Sequence, residues 1–214
     1  LHIGMMCILV PTFKGKELGK LIRRTRPNFM VGVPTLFEAL YNNKKLKEKD
    51  FSSINCIVSG GDIMDSENLK KYNNMFQKYG SKAKIRVGYG LTEACAATCL
   101  SPTLVSRERG IGIPFPDMVY KIVKLGTFKE ADVMEDGEIC ICGPTVMQGY
   151  LDEEEETLNT LKKHKDGKIW YHTEDKGYMD EDGELFIIGR YGRLILRSGM
   201  SINPNDIEEE LSKL

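Results

Sequence analysis

The chain has 214 residues, with 30 Lys and Arg against 31 Asp and Glu for a net charge of -1. So even a balance offers no general attraction to nucleic acid or to an anionic membrane surface, and no apolar run approaches the roughly 20 residues that span a bilayer. With 41% apolar and 29% charged residues, the composition is that of an ordinary globular chain, long enough for one sizeable core or two small ones.

Along the first 90 residues, short apolar runs alternate with helical patterns. Met6–Val10, Phe29–Val33, Ile54–Val58 and Ile85–Val87 have the length and β-branched content of strands buried on both faces. Between them, Leu18, Leu21 and Ile22 share a helix face, and Pro34 suits the first turn of a helix carrying Leu36, Phe37, Leu40 and Tyr41. Asp65 or Ser66 is placed to cap a third helix with Leu69, Tyr72, Phe76 and Tyr79 on one stripe. This alternation predicts a parallel α/β sheet. The character changes near residue 110. Met118–Lys124, Glu138–Cys142 and Glu184–Ile188 read as strands, and Asp180–Gly183 reads as a hairpin turn. Asp152–Glu156 is an acidic helix start, and a third unit opens near Tyr191 with a strand over Arg193–Arg197 and a helix from Ile207. The expectation is an α/β chain in three parts: a partial parallel-sheet subdomain over 1–110, a small β-rich subdomain over 111–189, and the hinge and start of an α+β domain over 190–214. Leu1 is not an initiator Met and the last helix has barely begun, so the chain reads as an internal piece of a longer protein.

Six Cys (7, 56, 95, 99, 140 and 142) form no CxxC pair, and His occurs only at positions 2, 164 and 172. A zinc site is therefore not expected. Cysteines set mostly among Ile, Val and Ala read as small core residues, and a reducing, cytoplasmic location is the expectation.

Two loops carry candidate chemistry. Ser59-Gly60-Gly61-Asp62 follows a buried strand and precedes a helix, at the strand end where open α/β sheets bind ligands. Glycines there let the backbone approach a flat or phosphorylated ligand, although a Gly-Gly pair also serves merely to turn. At the next strand end stands Gly88-Tyr89-Gly90-Leu91-Thr92-Glu93-Ala94. A Tyr can stack on a base, a Thr hydroxyl can bond a phosphate, and a Glu can hold Mg2+. The plain alternative is a turn followed by a helix that Thr92 caps.

Tyr89-Gly90-Leu91-Thr92-Glu93 resembles the signature of the adenylate-forming superfamily of acyl-CoA synthetases, luciferases and peptide-synthetase adenylation domains, and further stretches follow in that family's order. Val33-Pro34-Thr35 with Leu40, Ser59-Gly60-Gly61, Gly112-Ile113-Pro114, Gly137-Glu138-Ile139 to Gly143-Pro144, Gly149-Tyr150-Leu151, Trp170 to Asp175 with Gly177-Tyr178, Gly189-Arg190, and Ser198-Gly199 to Pro204 with Ile207-Glu208 all match. The resemblance implies an ATP-dependent carboxylate–CoA ligase that forms acyl-AMP and then a thioester with coenzyme A. ATP or AMP, Mg2+ and coenzyme A are the implied small molecules. Gly60, Gly61 and Asp62 would line the adenine, with Gly88, Tyr89 and Gly90 against its face. Thr92 would contact the α-phosphate and Glu93 the Mg2+, these two being the catalytic pair. Asp175 would take the ribose hydroxyls, helped by Arg190. His2, Gly88 and Cys95 would border the acyl site.

Some features depart from that pattern. Glu174 stands where the family has the Gly of its "TGD" stretch, and a charge there is expected to crowd the ribose or act on Asp175 by like-charge repulsion. Gly192 stands where the hinge usually carries Asp or Lys. The family's Gly/Ser/Thr-rich phosphate loop and its C-terminal Lys match nothing in the 214 residues. Two other readings remain: an amino-acid adenylation domain loading a carrier protein, against which stands the lack of any acid in residues 1–10, and a non-catalytic nucleotide-binding remnant, which Glu174 would suit. An incomplete sheet is also expected to self-associate through its uncovered face. Displacement at phosphorus needs positioned positive charge and backbone donors around the phosphates. The 214-residue chain alone is therefore expected to keep pyrophosphate release at background across a panel of fatty and aryl acids. Acid-dependent release would contradict this.

Overall fold

The structure, a computed structural model, describes residues 4–10, 12, 14–102, 110–191, 195–197, 200–202, 207 and 211. The chain divides into two compact units, Leu1–Val87 and Gly88–Leu214.

In the first unit, helix α1 (Leu18–Thr25) is followed by strand β1 (Phe29–Gly32), helix α2 (Pro34–Tyr41), strand β2 (Cys56–Ser59), helix α3 (Ser66–Lys78) and the start of strand β3 (Ile85–Leu91). β1, β2 and β3 pair in parallel, in that order, with Met30 opposite Ile57 and Ile57 opposite Ile85. The helix ends follow local chemistry. Pro34 occupies the first turn of α2, where its missing N–H is no loss. The Asp65 carboxylate caps α3 by accepting from the Asn68 N–H at 2.7 Å. One face of the sheet packs under the helices around Phe37, Leu40, Phe51, Ile57 and Phe76, all essentially without exposure. Glu38 ties α2 to α3, accepting from Lys71 Nζ at 2.8 Å and from the Tyr72 hydroxyl at 2.7 Å.

Two expectations about this unit fail. β1 is not buried on both faces: Phe29 and Val31 are exposed, because α1, α2 and α3 all pack into a single cluster with Met30, Ile57 and Ile85. Met6–Val10 forms no strand and is exposed. The sheet order begins at β1, so this run has no ladder partner among the described residues, and apolar content alone does not hold an extended backbone.

The second unit is antiparallel. The end of β3 pairs with β4 (Ala96–Leu100), and β4 with β5 (Gly110–Pro114). There follow β6 (Val119–Val123), β7 (Gly137–Cys142), helix α4 (Glu154–Thr160), β8 (Leu161–Lys163), β9 (Ile169–Met179) and β10 (Leu185–Arg190). Their order is β4-β5-β10-β9-β7-β6, with β8 on β9. A separate pair, β11 (Ile195–Arg197) with β12 (Met200–Ile202), follows. Ile139, Ile141 and Leu185 form the buried centre of one sheet face. The expected hairpin at Asp180–Gly183 is present: the Asp180 carboxylate accepts from the N–H groups of Asp182 at 3.0 Å and Glu184 at 2.9 Å. The helix that Thr92 was placed to cap is only a three-residue 3-10 turn, and β4 takes over at Ala96. Gly90 explains the switch. A Cβ there would lie 1.8 Å from the Ala96 carbonyl oxygen, so only glycine lets β4 turn back so closely. Among the described residues, no helix is long and apolar enough to cross a membrane.

The first unit has a small core with little redundancy. Phe76 is wholly buried and its ring lies 4.8 Å from that of Phe51. Phe76→Ala is expected to destabilise this unit by about 3–5 kcal/mol, measured by denaturant titration with amide exchange followed in α3 and β2.

Candidate nucleotide-binding site

The candidate residues fall in both units. In the first, Gly60 follows β2 directly and its N–H donates to the Gly32 carbonyl at 3.1 Å. Gly61 takes φ +79°, a left-handed conformation that suits glycine. Asp62 is exposed and its Oδ1 accepts from the Ile63 N–H at 2.8 Å, so its carboxylate serves the local turn. His2 lies outside the described residues, as does Gly192.

In the second unit, a break in three strands builds the site. Gly137 and Glu138 of β7 oppose Gly177 and Lys176 of β9, yet Cys140 opposes His172. Ile139 therefore faces Thr173, Glu174 and Asp175, and β9 carries two extra residues at this point. On the other side, β10 carries one extra residue at Ile188 between its pairings with Gly177 and Lys176. Bulges of this kind bend a strand and re-aim its side chains. Thr173 closes the turn from within: its hydroxyl donates to the Ile139 carbonyl at 2.8 Å and accepts from the Asp175 N–H at 3.0 Å.

The bulge brings Tyr89, Asp175 and Arg190 together. The Tyr89 hydroxyl donates to Asp175 Oδ2 at 2.5 Å, and Arg190, opposite Asp175 in the β9–β10 register, places Nε 3.8 Å from Oδ1. The Asp175 side chain is 19% exposed. Burial first, and then the Asp175 charge, hold the Tyr89 phenol well above its usual pKa, so it remains a donor. Sequence reading assigned Tyr89 to the adenine face and missed this bond. No local pattern connects residues 89 and 175.

Thr92 is exposed in the 3-10 turn. Glu93 is half-buried there: its Oε1 accepts from the Tyr150 hydroxyl at 2.9 Å and its carbonyl accepts from the Met147 N–H at 2.7 Å. No cation pairs with Glu93 among the described residues, which leaves a held carboxylate whose remaining oxygen suits a hard dication. Gly88 lies in β3 opposite Leu100. Cys95 is exposed at φ +56°, closing the turn rather than sitting in a helix.

Glu174 occupies the centre of the bulge at φ +59°. Its side chain is exposed, and its N–H donates to Glu138 Oε1 at 3.1 Å. The turn thus forms without glycine.

Residues 1–151 match the family described as AMP-binding enzyme. The chain belongs to that family. It is 34% identical over 212 residues to a long-chain-fatty-acid–CoA ligase of Bacillus subtilis, covering 99% of this chain and 36% of that relative. It is 31% identical over 208 residues to a luciferin 4-monooxygenase of Luciola mingrelica, covering 97% of this chain and again 36% of the relative. Among solved structures, the O-succinylbenzoate coenzyme A synthetase of Bacillus subtilis in complex with ATP and magnesium aligns with a TM-score of 0.75 at 26% identity, over 93% of this chain and 39% of that one. The chain thus spans about a third of the length of the curated relatives it matches.

A non-glycine residue at left-handed φ carries a strain of about 1–2 kcal/mol, partly offset in any glycine replacement by the greater chain entropy lost on folding. Glu174→Gly is expected to raise the stability of this unit by about 0.5–1 kcal/mol, read as a higher urea midpoint at unchanged slope.

Proposed function

We propose that this chain is the nucleotide-handling part of an ATP-dependent ligase that joins a carboxylic acid to coenzyme A by way of acyl-AMP. The observation that supports this best is the Asp175 carboxylate, lifted out of β9 by the bulge and held from two sides by Tyr89 and Arg190. An ionised carboxylate accepts at about four lone-pair sites, which makes its chemistry suited to the two hydroxyls of a ribose. In this reading Arg190 offsets the negative charge beside the nucleotide. Tyr89 is a positioning residue for Asp175 and presents its ring to the base. In the first unit, Gly60, Gly61 and Asp62 are the residues proposed for adenine, the glycines allowing close backbone approach.

Glu93, fixed by Tyr150 and free of a cationic partner among the described residues, is the residue suited to Mg2+. When bound, the ion neutralises charge on the phosphates. Thr92, on the exposed turn next to it, donates to an α-phosphate oxygen. Cys95 borders the acyl end. Similarity to the Bacillus subtilis long-chain-fatty-acid–CoA ligase and to the synthetase in complex with ATP and magnesium supports the same activity. A fatty acid is the preferred class of carboxylate, because the ligase relative is named for one.

The test uses AMP and the 214-residue chain. Asp175→Asn should weaken AMP binding by about tenfold or more, since a hydrogen bond to a charged group contributes roughly 1.5–3 kcal/mol. Tyr89→Phe should weaken it by a smaller factor, and adenine without ribose should bind parent and Asp175→Asn alike. Calorimetric titration reads all three, and equal AMP affinity for parent and Asp175→Asn would remove Asp175 from the site.

A further inference from the structure

Glu138 of β7 serves two donors at once. Its Oε1 accepts from the Glu174 N–H at 3.1 Å, inside the β9 bulge, and its Oε2 lies 2.8 Å from His172 Nδ1. The other ring nitrogen of His172, Nε2, lies 2.8 Å from Nε2 of His164, in the turn between β8 and β9. A row of bonds thus runs from His164 through His172 and Glu138 to the backbone immediately before Asp175. Both imidazoles are buried, with His164 6% and His172 5% exposed. The His164 ring stands 4.8 Å from that of Phe128 and 5.9 Å from that of Trp170. Its Nδ1 is buried with no hydrogen-bond partner among the described residues.

Counting donors fixes where the protons sit. Burial works to raise the Glu138 pKa, but the His172 bond and its other contacts outweigh this and hold the carboxyl below its usual value. An ionised carboxylate only accepts, so His172 carries a proton on Nδ1. Between the two Nε2 atoms there is room for one proton. If His172 owned it, His164 would have to keep its own proton on Nδ1, a buried donor with no acceptor, at a cost of about 1–3 kcal/mol. The proton therefore belongs to His164, which donates from Nε2 to the bare Nε2 of His172. Burial first, and then the Lys121 charge, hold His164 below the ordinary imidazole value, so it stays neutral.

We propose that this relay positions Asp175. His164 fixes the tautomer of His172, that tautomer makes Glu138 a double acceptor, and Glu138 holds the bulge one residue before Asp175. All three are positioning residues. Their effect on a nucleotide rests on the reading of Asp175 as the ribose ligand, whereas the order of the protons does not. A carboxylate is required at position 138, because a side-chain amide has one oxygen for two donors. Reversing the His172 tautomer would let an amide serve both, donating to His172 Nδ1 and accepting from the Glu174 N–H. Reversal, however, forces a proton onto the buried Nδ1 of His164, so His164 blocks that escape. No local spacing reveals the relay, because residues 138, 164, 172 and 174 meet only when β7, β9 and the β8–β9 turn pack.

The test begins with the unmodified 214-residue chain. Its imidazole nitrogen NMR shifts near neutral pH should place the protons on Nδ1 of His172 and Nε2 of His164. Any other order overturns the relay, and this measurement needs no substitution to fold. Glu138→Gln should keep that order and give up the bond to Glu174. Exchange of the Glu174 amide should then quicken roughly tenfold, and AMP binding should weaken roughly threefold. In the double variant Glu138→Gln with His164→Gln, the new amide beside His172 can turn its oxygen to accept from Nε2–H. The His172 tautomer should reverse, and Glu174 protection and AMP affinity should both return towards the parent values. A merely structural role gives the opposite result, because a second buried substitution adds to the damage. Unchanged Glu174 exchange in Glu138→Gln, or a double variant no better than the single one, overturns the relay. Lost Glu174 protection with AMP affinity unchanged, where Asp175→Asn weakens it, overturns the positioning of Asp175. If AMP binds parent and Asp175→Asn alike, the nucleotide reading fails by itself, and the imidazole spectra and Glu174 exchange still decide the relay.

Discussion

The second unit depends on a mismatch in strand length. Across β7, β9 and β10, the ladder must absorb two extra residues in β9 opposite Ile139 and, one step along, one extra residue in β10. A regular ladder would alternate Thr173, Glu174 and Asp175 between the two faces. The bulge instead turns Thr173 inward to bond the Ile139 carbonyl, sends Glu174 out to solvent and sets Asp175 against Tyr89 and Arg190. The backbone N–H groups released from the ladder are taken up locally, by Thr173 Oγ1 and by Glu138 Oε1. A buried N–H left unpaired carries a desolvation penalty of about 1–3 kcal/mol, which the Thr173 hydroxyl removes for the part-buried Asp175 N–H. The irregularity is thus fully hydrogen-bonded where it matters, and it persists even with glutamate in its left-handed position.

The charge arrangement around Asp175 follows from that backbone. A half-buried carboxylate needs partners, and this one has a phenol kept protonated by burial and a guanidinium that is itself largely exposed. The phenol fixes orientation and the guanidinium adds long-range attraction that salt will screen. Glu93 has a similar but lighter arrangement, a single hydroxyl from Tyr150. Each of these two carboxylates is thus oriented by a neutral hydroxyl, Tyr89 for Asp175 and Tyr150 for Glu93, and Arg190 adds a charged partner to Asp175.

Legibility in the sequence followed the reach of the interactions. α2 and α3 were readable because Pro34 and Asp65 act within one turn of their own positions, and because Tyr72 and Phe76 repeat at helical spacing. The turn at Asp180 was readable for the same reason. β9 was not: Trp170 to Tyr178 mixes His, Thr, Glu, Asp and Gly with no alternation, and its extended form is imposed by β7, β8 and β10. β4 was obscured by the small residues from Cys95 to Thr98, which suit a helix as well as a strand. Met6–Val10 shows the reverse error, an apolar run with strand character and no ladder partner among the described residues. For the candidate site, the family resemblance pointed to the residues, while the Tyr89–Asp175 bond joins positions 86 apart and became visible only in the fold.

The extra residues of β9 also decide which changes in length this unit can accept. Replacing Glu174 alters a local energy and leaves every later side chain where it was. Deleting one residue between Tyr171 and Gly177 would instead reverse the facing of either Asp175 or the Trp170–His172 segment relative to β7. Chain spacing is therefore a tighter constraint here than residue identity. Insertions are better accommodated at Lys165–Lys168, where an exposed turn joins β8 to β9 and no ladder runs through.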